Sequence, residues 1–484
     1  MLQKVRETWL SNIRMDVLAG MTVAFALIPE AIAFSIIAGV DPMVGLYASF
    51  CMAVVIAFVG GRPGMISAAT GAMALLMITL VANHGLEYLL AATVLTGIIQ
   101  IIMGVLKLGR FITFIPHSVI IGFVNALAIL IFTAQLTQFE GATWVMYALV
   151  AATLVIIYGL PRLTKAVPSA LVAIIVITVI SIFAGFKVST VGDMGQIPNT
   201  LPFFHLPNIP ISLETLWIIL PYSITLAVVG TLESLLTATI VDEMTESKSD
   251  KNKEIRGQGI ANTIVGFFGG MASCAMIGQS VINVKSGGRG RLSSLIAGVF
   301  LLFLILVLGN YVRQIPMAAL VGVMIMVAIS TFDWRSITDL KKVPASDSLV
   351  MISTVAVVVY THDLAKGVFV GVILSAMIFG WRIASRIRVT EDTTSHQVKC
   401  YRVQGQLFFG TMSHFVERFN PKEDPDKIVI DFAQSHVWDH SAVTAIAKVS
   451  LKYQQLGKDV QITGLNQESK VLVEKIGLSA PSGH

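Results

Sequence analysis

Two sequence repeats about 200 residues apart restrict the fold of this 484-residue chain more than any other feature. One series, in which every offset is 200, pairs Leu108-Gly109, Ile115-Pro116, Gly122 and Ala128-Ile129 with Leu308-Gly309, Ile315-Pro316, Gly322 and Ala328-Ile329. A second series, offset by 203, pairs Thr22, Glu30 and Ala72-Met73 with Thr225, Glu233 and Ala275-Met276. Two such halves, each with a carboxylate inside an apolar segment, are typical of a transporter with a central site between its repeats.

The long apolar runs indicate a polytopic membrane protein. Hydrophobic residues make up 55% of the sequence and charged residues 13%, outside the usual range of soluble domains. The runs predict about fourteen spans between residues 15 and 385, and some are shorter than the ~20 residues of a straight crossing helix. We therefore expect broken or tilted helices. The three cysteines, Cys51, Cys274 and Cys400, show no metal-ligand or disulfide spacing, so we predict a packing role for them.

The basic residues predict the orientation of the spans. With the N-terminus in the cytoplasm, 21 lysines and arginines before residue 389 lie inside, and Lys187, Arg313 and Lys366 lie outside. Residues 187–214 then form an external linker after seven spans, so the second half enters the membrane from the opposite side. We expect an inverted repeat, with repeat one at residues 15–186, repeat two at 215–388 and both termini in the cytoplasm of an inner (plasma) membrane protein.

A small cytoplasmic α/β domain is predicted at residues 390–484, after a transmembrane domain at 1–389. Strands are expected at 398–403, 406–409 and 427–432, and helices at 412–419, 441–455 and 467–476. At about 90 residues this domain lies at the lower end of domain sizes.

Glu30 and Glu233 lie inside apolar segments. A carboxylate at membrane depth is costly, so such a residue is a functional candidate by default. The alternative is a polar residue that is paired in the interior or that reaches to the end of a span. Because the two positions are equivalent in the repeat, the functional interpretation is favoured.

Two segments rich in small residues, 67–73 and 273–280, follow glycine-rich breaks and precede short apolar runs. This pattern predicts half-helices that start within the membrane. The free N–H groups and positive dipole end of such a start bind an anion without a charged side chain. Ordinary packing of small residues is the alternative. Their repetition in both halves favours the anion site.

The sequence places no Lys or Arg within either half-helix start or next to either glutamate. An anion near ionised Glu233 would be repelled at low dielectric. Protonation of that carboxylate, or a bound Na⁺, would relieve the repulsion. We therefore predict that a proton or Na⁺ accompanies the anion.

These segments resemble the SulP anion permease family, known in animals as solute carrier family 26. The family-like motifs lie at residues 28–34 (IPEAIAF), 38–42 (AGVDP), 70–73 (TGAM), 233–237 (ESLLT), 254–262 (EIRGQGIAN) and 283–289 (NVKSGGR). The resemblance covers essentially the whole chain.

The resemblance implies a seven-plus-seven inverted repeat with core and gate domains, commonly assembled as a homodimer. It places the anion between the N-termini of the third and tenth segments. The matching substrate-binding positions are Glu30, Phe34, Thr70, Gly71, Ala72, Met73, Ala275, Met276, Ile277, Gly278 and Gln279. Glu233, with Thr237 one turn later, matches the family's acidic position and is the candidate for cation coupling.

Two positions depart from the family pattern. Many members have Gln where this chain has Glu30, and many have a basic residue where it has Gln279. The additional negative charge and the missing positive charge strengthen the expectation of cation coupling. They also prevent the substrate of any single relative from being assigned to this chain.

The tail resembles a STAS domain, the fold of anti-sigma-factor antagonists, through residues 428–432 and 438–442. Those antagonists are phosphorylated on a serine in this turn, and Ser441 is the matching position. The alternative is that Asp439 or Ser441 caps the following helix. The expected role of this domain is contact with a cytoplasmic regulatory partner, trafficking or dimer contact.

The sequence therefore predicts a secondary transporter of a small inorganic oxyanion, sulfate or bicarbonate, coupled to H⁺ or Na⁺. A C4-dicarboxylate symporter and an anion exchanger remain open, as does a sensor that signals through the tail. A nucleobase symporter is disfavoured because the anion-permease motifs run through the chain. Membrane lipid is the expected surrounding, and we expect no enzymatic activity, cofactor, structural metal or nucleic-acid partner.

Overall fold

The computed structural model describes residues 8–110, 115–163, 168–197, 200–395 and 398–477. The chain divides into two compact units, one ending at Val372 and one beginning at Ile373. The first unit holds nearly all of the apolar helices, and the second contains a four-stranded sheet.

Two successive sets of helices build the transmembrane region. The first set is α1 (Ile13–Ala38), α2 (Pro42–Val59), α3 (Gly71–His84), α4 (Leu86–Val105), α5 (His117–Leu136), α6 (Trp144–Leu163) and α7 (Ser169–Phe183). The second set is α8 (Leu213–Thr245), α9 (Lys251–Phe267), α10 (Ile277–Lys285), α11 (Arg291–Val312), α12 (Met317–Thr331), α13 (Ala345–Thr361) and α14 (Leu364–Ala384).

Eight helices of the described residues are long and apolar enough to cross a membrane, or nine if the bent pair of α12 and residues 334–341 is one span. Helices α3, α7 and α13 are shorter, and α10 has 9 residues, too few for a complete crossing. The predicted fold class, a helical polytopic protein with a small α/β tail, is confirmed. The count of fourteen spans stays a prediction.

The series with offset 200 marks equivalent places in the two halves. Pro116 is the residue before α5, and Pro316 is the residue before α12. The glycines of the series also pack alike, because both allow close approach of a threonine from a neighbouring helix. A Cβ atom on Gly122 would lie 2.8 Å from Cβ of Thr354 in α13, and one on Gly322 would lie 2.7 Å from Cβ of Thr153 in α6. Small residues at such crossings are typical of membrane helix packing.

Two short strands join the two halves of the transmembrane unit. Strand β1 (Ser67–Ala68) precedes α3, and strand β2 (Cys274–Ala275) precedes α10. The strands pair antiparallel, with Ser67 opposite Ala275 and Ala68 opposite Cys274. This pairing holds the starts of α3 and α10 side by side.

The tail contains a four-stranded sheet with the order β3-β4-β5-β6. Its strands are β3 (Arg388–Ser395), β4 (Val398–Leu407), β5 (Lys427–Val437) and β6 (Asp459–Thr463), and its helices are α15 (Met412–Val416), α16 (His440–Gln455) and α17 (Gln467–Ile476). Strand β3 runs antiparallel to β4, while β4–β5 and β5–β6 are parallel. One apolar core fills the space between the sheet and its helices.

The sequence-based description of the tail was wrong at four elements, β3, β4, β6 and α15. Strand β4 is continuous where two strands were predicted, because the chain passes through Gly405 at φ +107° without leaving the sheet. Strand β3 was missed because its sequence is polar, and β6 because it has five residues and buries no side chain completely. Helix α15 ends at Val416, three residues earlier than predicted.

Candidate functional site

A cavity of about 210 Å³ lies where the starts of α3 and α10 meet helices α1, α5, α8 and α12. Its lining combines a few polar groups with an apolar wall. The lining residues are Glu30, Phe34, Thr70, Gly71, Phe123, Val124, Leu127, Ile131, Glu233, Leu236, Met276, Ile277, Gly278, Gln279, Ile282, Met326, Val327, Ser330 and Thr331.

Nine of the thirteen substrate-binding and coupling residues predicted from the sequence line this cavity. They are Glu30, Phe34, Thr70, Gly71, Glu233, Met276, Ile277, Gly278 and Gln279. Residues that are about 200 positions apart in the chain therefore line one cavity.

Four predicted residues are buried beside the cavity without lining it: Ala72, Met73, Thr237 and Ala275. The Met73 side chain lies against Gly230, where an added Cβ would be 3.1 Å from its Cε atom. The Thr237 hydroxyl donates to the Glu233 carbonyl oxygen at 2.7 Å, within its own helix. Side-chain contact with a bound anion is therefore not the role of these four residues in this conformation.

The starts of α3 and α10 present unpaired backbone N–H groups. Thr70 is the N-cap of α3, and its hydroxyl accepts a hydrogen bond from the amide of Met73 at 3.4 Å. Among the described residues, five amides of the two first turns have no acceptor: Gly71, Ala72, Ile277, Gly278 and Gln279. Such N–H groups carry the positive end of the helix dipole and bind anions.

The helix starts correct the register of the second sequence repeat. Met276 is the residue before α10, as Thr70 is the residue before α3, so equivalent positions are 206 residues apart and not 203. The pairing of Ala275-Met276 with Ala72-Met73 is therefore three residues out of register, although α10 begins within the predicted segment 273–280. The amide of Ala275 is bound by the Ser234 hydroxyl at 3.1 Å, and that of Met276 by the Ile66 carbonyl oxygen at 2.9 Å. These bonds keep both residues in extended backbone before the helix.

Glu30 lies in α1 directly after Pro29 and is only 8% exposed. The Gln279 side-chain amide donates to its Oε2 atom at 2.5 Å. The two positions at which the sequence departs from the pattern of the family that it resembles are therefore in direct contact with each other. A neutral amide satisfies the carboxylate without neutralising its charge.

Glu233 lies in α8 and is also 8% exposed. The Cys274 thiol donates to its Oε2 atom at 2.9 Å, and the Thr70 hydroxyl lies 3.2 Å from the same sulfur. The prediction of a pure packing role for Cys274 is therefore wrong. Sequence reasoning missed this contact because it depends on the β1–β2 pairing, which joins segments 206 residues apart. The position of Cys274 directly before a half-helix start was the available signal.

The lining residues include two carboxylates, Glu30 and Glu233, and no Lys, Arg or His within the part of the chain that the structure describes. Helices α5 and α12, which both follow an Ile-Pro pair, supply an opposite wall that the sequence did not predict. It is apolar apart from the hydroxyls of Ser330 and Thr331. Among the lining groups, the positive ends of dipoles therefore come from backbone N–H groups and the Gln279 side-chain amide.

Comparison with known proteins assigns the family. The model of the Sulfate permease family matches residues 13–146 and 137–354, and the STAS domain model matches residues 389–481. The chain belongs to the sulfate permease family. A Bacillus subtilis (strain 168) protein named "Putative sulfate transporter YbaR" is 60% identical over 98% of each chain. "Bicarbonate transporter BicA" of Picosynechococcus sp. is 28% identical over 96% of this chain and 91% of its own.

Two solved structures are similar to this chain in fold. The transmembrane domain of a cyanobacterial bicarbonate transporter BicA is 30% identical, with a TM-score of 0.66 over 76% of this chain and 98% of that one. Murine Slc26a9 in the inward-facing state is 18% identical, with a TM-score of 0.84 over 98% of this chain and 89% of that one. The second similarity is one of fold alone.

The candidate phosphorylation site in the STAS domain lies at the start of α16. Asp439 is the N-cap, with one carboxylate oxygen accepting from the amide of Ala442 and the other from that of Phe409, both at 2.8 Å. Asp439 therefore caps α16, as the alternative interpretation of this turn predicted. Ser441 lies half-buried in the first turn, and its phosphorylation stays a prediction.

Proposed function

We propose that this sulfate permease homologue is a secondary active transporter of a small inorganic oxyanion, sulfate or bicarbonate, in the inner membrane. The observation that carries the proposal is the cavity that two helix starts, with their unpaired backbone amides, share with two buried carboxylates. The names of the relatives, which include sulfate and bicarbonate transporters, agree with this substrate class.

The amides of the two first turns favour an oxyanion. Backbone N–H groups bind sulfate, phosphate and carboxylate groups at helix N-termini with no charged side chain. The cavity volume of about 210 Å³ is below the 300–1,000 Å³ of pockets for drug-sized ligands. The cavity therefore suits a small anion and not a drug-sized ligand, and the uptake assay below separates an inorganic oxyanion from a C4-dicarboxylate.

The carboxylates favour cation coupling. Two like unit charges about 5 Å apart repel by roughly 3 kcal/mol at an effective dielectric of about 20. An anion in the same cavity as ionised Glu233 and Glu30 meets this repulsion, and no basic side chain among the described lining residues offsets it. A proton or Na⁺ on Glu233 removes one of the opposing charges, so the anion and the cation bind together. Alternating access of the two inverted halves would then release both on the other side.

Uptake into proteoliposomes tests the proposal. Labelled sulfate, bicarbonate and fumarate are offered under imposed pH or Na⁺ gradients. We expect an inward H⁺ or Na⁺ gradient to drive accumulation of sulfate or bicarbonate, and Glu233→Gln to take up the anion without following that gradient. The matched control is Glu87→Gln, because Glu87 binds His205 at 3.0 Å and does not line the cavity.

Four results would contradict parts of the proposal. Uptake in Glu233→Gln that still follows the gradient would refute the coupling role of this carboxylate. Accumulation of fumarate alone would assign the protein to dicarboxylates. Uptake that needs an internal anion and no cation gradient would make it an exchanger, and failure to accumulate any anion would favour the sensor function through the tail.

The assembly and topology predicted from the sequence carry over as parts of the proposal. We place both termini in the cytoplasm and expect a homodimer, with the STAS domain available to a cytoplasmic regulatory partner. Cysteine-accessibility labelling of a variant with a new cysteine in residues 478–484 tests the topology, because a C-terminus that is labelled from outside intact cells would reverse it.

A further inference from the structure

Three buried side chains form a continuous hydrogen-bond chain from α8 to the start of α3. The Cys274 thiol is 2.9 Å from the Glu233 carboxylate, the Thr70 hydroxyl is 3.2 Å from that thiol, and the amide of Met73 is 3.4 Å from the hydroxyl. Cys274 is fully buried, and Thr70 is 2% exposed. Of these side chains, Glu233 and Thr70 line the cavity, while Cys274 lies behind them.

With Glu233 ionised, the direction of the first hydrogen bond in this chain is determined. A carboxylate can only accept, so the thiol donates its single proton to Glu233. The sulfur then accepts from the Thr70 hydroxyl, whose oxygen in turn accepts from the amide of Met73. The Thr70 hydroxyl, which is also a hydrogen-bond partner of the Glu233 carboxylate, thereby gives its proton to the Cys274–Glu233 pair and not to a bound anion.

When Glu233 takes up a proton from the cavity, the chain can reverse. The new carboxylic O–H donates to the Cys274 sulfur, and the thiol proton turns to the Thr70 oxygen. That oxygen now accepts from both the thiol and the Met73 amide, so its own proton is free to point into the cavity that Thr70 lines. One proton is gained by Glu233, while every other proton stays on its own atom and changes only its acceptor.

We propose that Cys274 is a positioning residue that transmits the protonation of Glu233 to Thr70, so that proton uptake adds a hydroxyl donor for the bound anion. This inference rests on the proposed function, because it assumes an anion between the two helix starts. It supplies a direct reason for the two ligands to bind cooperatively: the reversed chain gives the anion one more hydrogen bond.

Few other titratable groups lie close to Glu233. Cys274 on β2 and Glu30 across the cavity are the titratable groups that share its surroundings among the described residues. The other charged or titratable residues on the helices packed against α8 do not line the cavity: His84, Glu87, Tyr88, Lys251, Lys253, Glu254, Arg256 and Lys285.

The pH dependence of KM for sulfate or bicarbonate uptake tests the inference in proteoliposomes of the full-length protein. In the wild type we expect KM to fall by about tenfold on acidification, the size expected for one added hydrogen bond to an anion. Cys274→Ala should abolish this change while uptake persists, and Cys274→Ser should restore it because a hydroxyl can relay in the same way. The matched control is Cys51→Ala, since Cys51 is buried in α2 and its thiol forms no hydrogen bond among the described residues.

The infrared S–H stretching band of Cys274 provides a second readout that needs no transport. We expect this band to shift with pH in the wild type and in Cys51→Ala, because the thiol changes its acceptor from a carboxylate to a hydroxyl. The band should be independent of pH in Glu233→Gln.

A band that does not move with pH in the wild type, or a wild-type pH profile of KM in Cys274→Ala, would overturn the inference. A band that shifts while wild-type uptake shows no pH dependence would support the hydrogen-bond chain and refute proton coupling. The failure of the inference and the failure of the proposed function are therefore distinguishable, even where Cys274→Ala does not fold.

Discussion

Replacing Gly278 with alanine adds one methyl group to the cavity without disturbing a packed contact. Gly278 is the second residue of α10 and lines the cavity. A Cβ atom built on it meets no heavy atom within 4 Å. The methyl group therefore occupies space that we assign to the anion, next to the unpaired amides of Ile277 and Gln279.

The two effects of Gly278→Ala have opposite signs. Alanine in a helix is favoured over glycine by roughly 0.5–1 kcal/mol, so the free energy of unfolding should stay equal or rise slightly. The methyl group separates the anion from at least one amide, and a hydrogen bond to a charged group is worth about 1.5–3 kcal/mol. At about 1.4 kcal/mol for each factor of ten, KM for the anion should rise roughly 10- to 150-fold.

The assay is concentration-dependent anion uptake in proteoliposomes, combined with thermal unfolding in detergent. Gly159→Ala is the matched control, because Gly159 lies in α6, away from the cavity, and a Cβ there also meets no heavy atom within 4 Å. We expect the control to keep the wild-type KM. Unchanged KM in Gly278→Ala, with unchanged stability, would refute the placement of the anion at the start of α10.

Three further substitutions test the packing of the site and of the tail. Gly71→Ala places a Cβ 2.9 Å from the Phe34 ring, so we expect the free energy of unfolding to fall by about 1–3 kcal/mol and uptake to be reduced. Thermal unfolding measures the first effect, and wild-type stability would contradict this contact. Asp439→Ala removes the cap of α16 and should lower the stability of the tail by about 0.5–2 kcal/mol. Hydrogen exchange of the tail in the full-length chain measures this loss, and unchanged exchange would contradict it. Burial raises the pKa of Asp424, but hydrogen bonds from Lys399 and two tyrosines outweigh it and hold this pKa below its ordinary value. The carboxylate therefore stabilises the tail at pH values above the unfolded pKa, and this contribution is lost as the pH falls through the folded pKa. Asp424→Asn should weaken hydrogen-exchange protection of the tail at neutral pH, and the protection that remains should fall less in acid than in the wild type. An unaltered pH profile would exclude this role.

The position of the site could be predicted from the sequence because its signals are local. A carboxylate inside an apolar run, as at Glu30 and Glu233, is visible without a structure. The glycine-rich breaks before Thr70 and Met276 likewise mark helices that start inside the membrane. Each of these residues lines the cavity.

The partners of these residues could not be predicted, because they are set by contacts between the two halves. The hydrogen bond from Gln279 to Glu30 joins α10 to α1, and the thiol of Cys274 reaches Glu233 only after β1 and β2 have paired. The three-residue error in the register of Ala275 has the same origin, because the amide of this residue is fixed by Ser234 of α8. A constant offset between two sequence repeats does not identify which residues form hydrogen bonds with each other.

The position of the bound anion is measured most directly with selenate, a heavier analogue of sulfate, in crystals of the full-length protein. Its anomalous scattering should give one strong peak between α3 and α10, within hydrogen-bond distance of the amides of Gly71 and Gly278 and close to Thr70. The peak should weaken in Gly278→Ala. A peak elsewhere in the protein, at a selenate concentration that inhibits sulfate uptake, would contradict anion binding by the two helix starts.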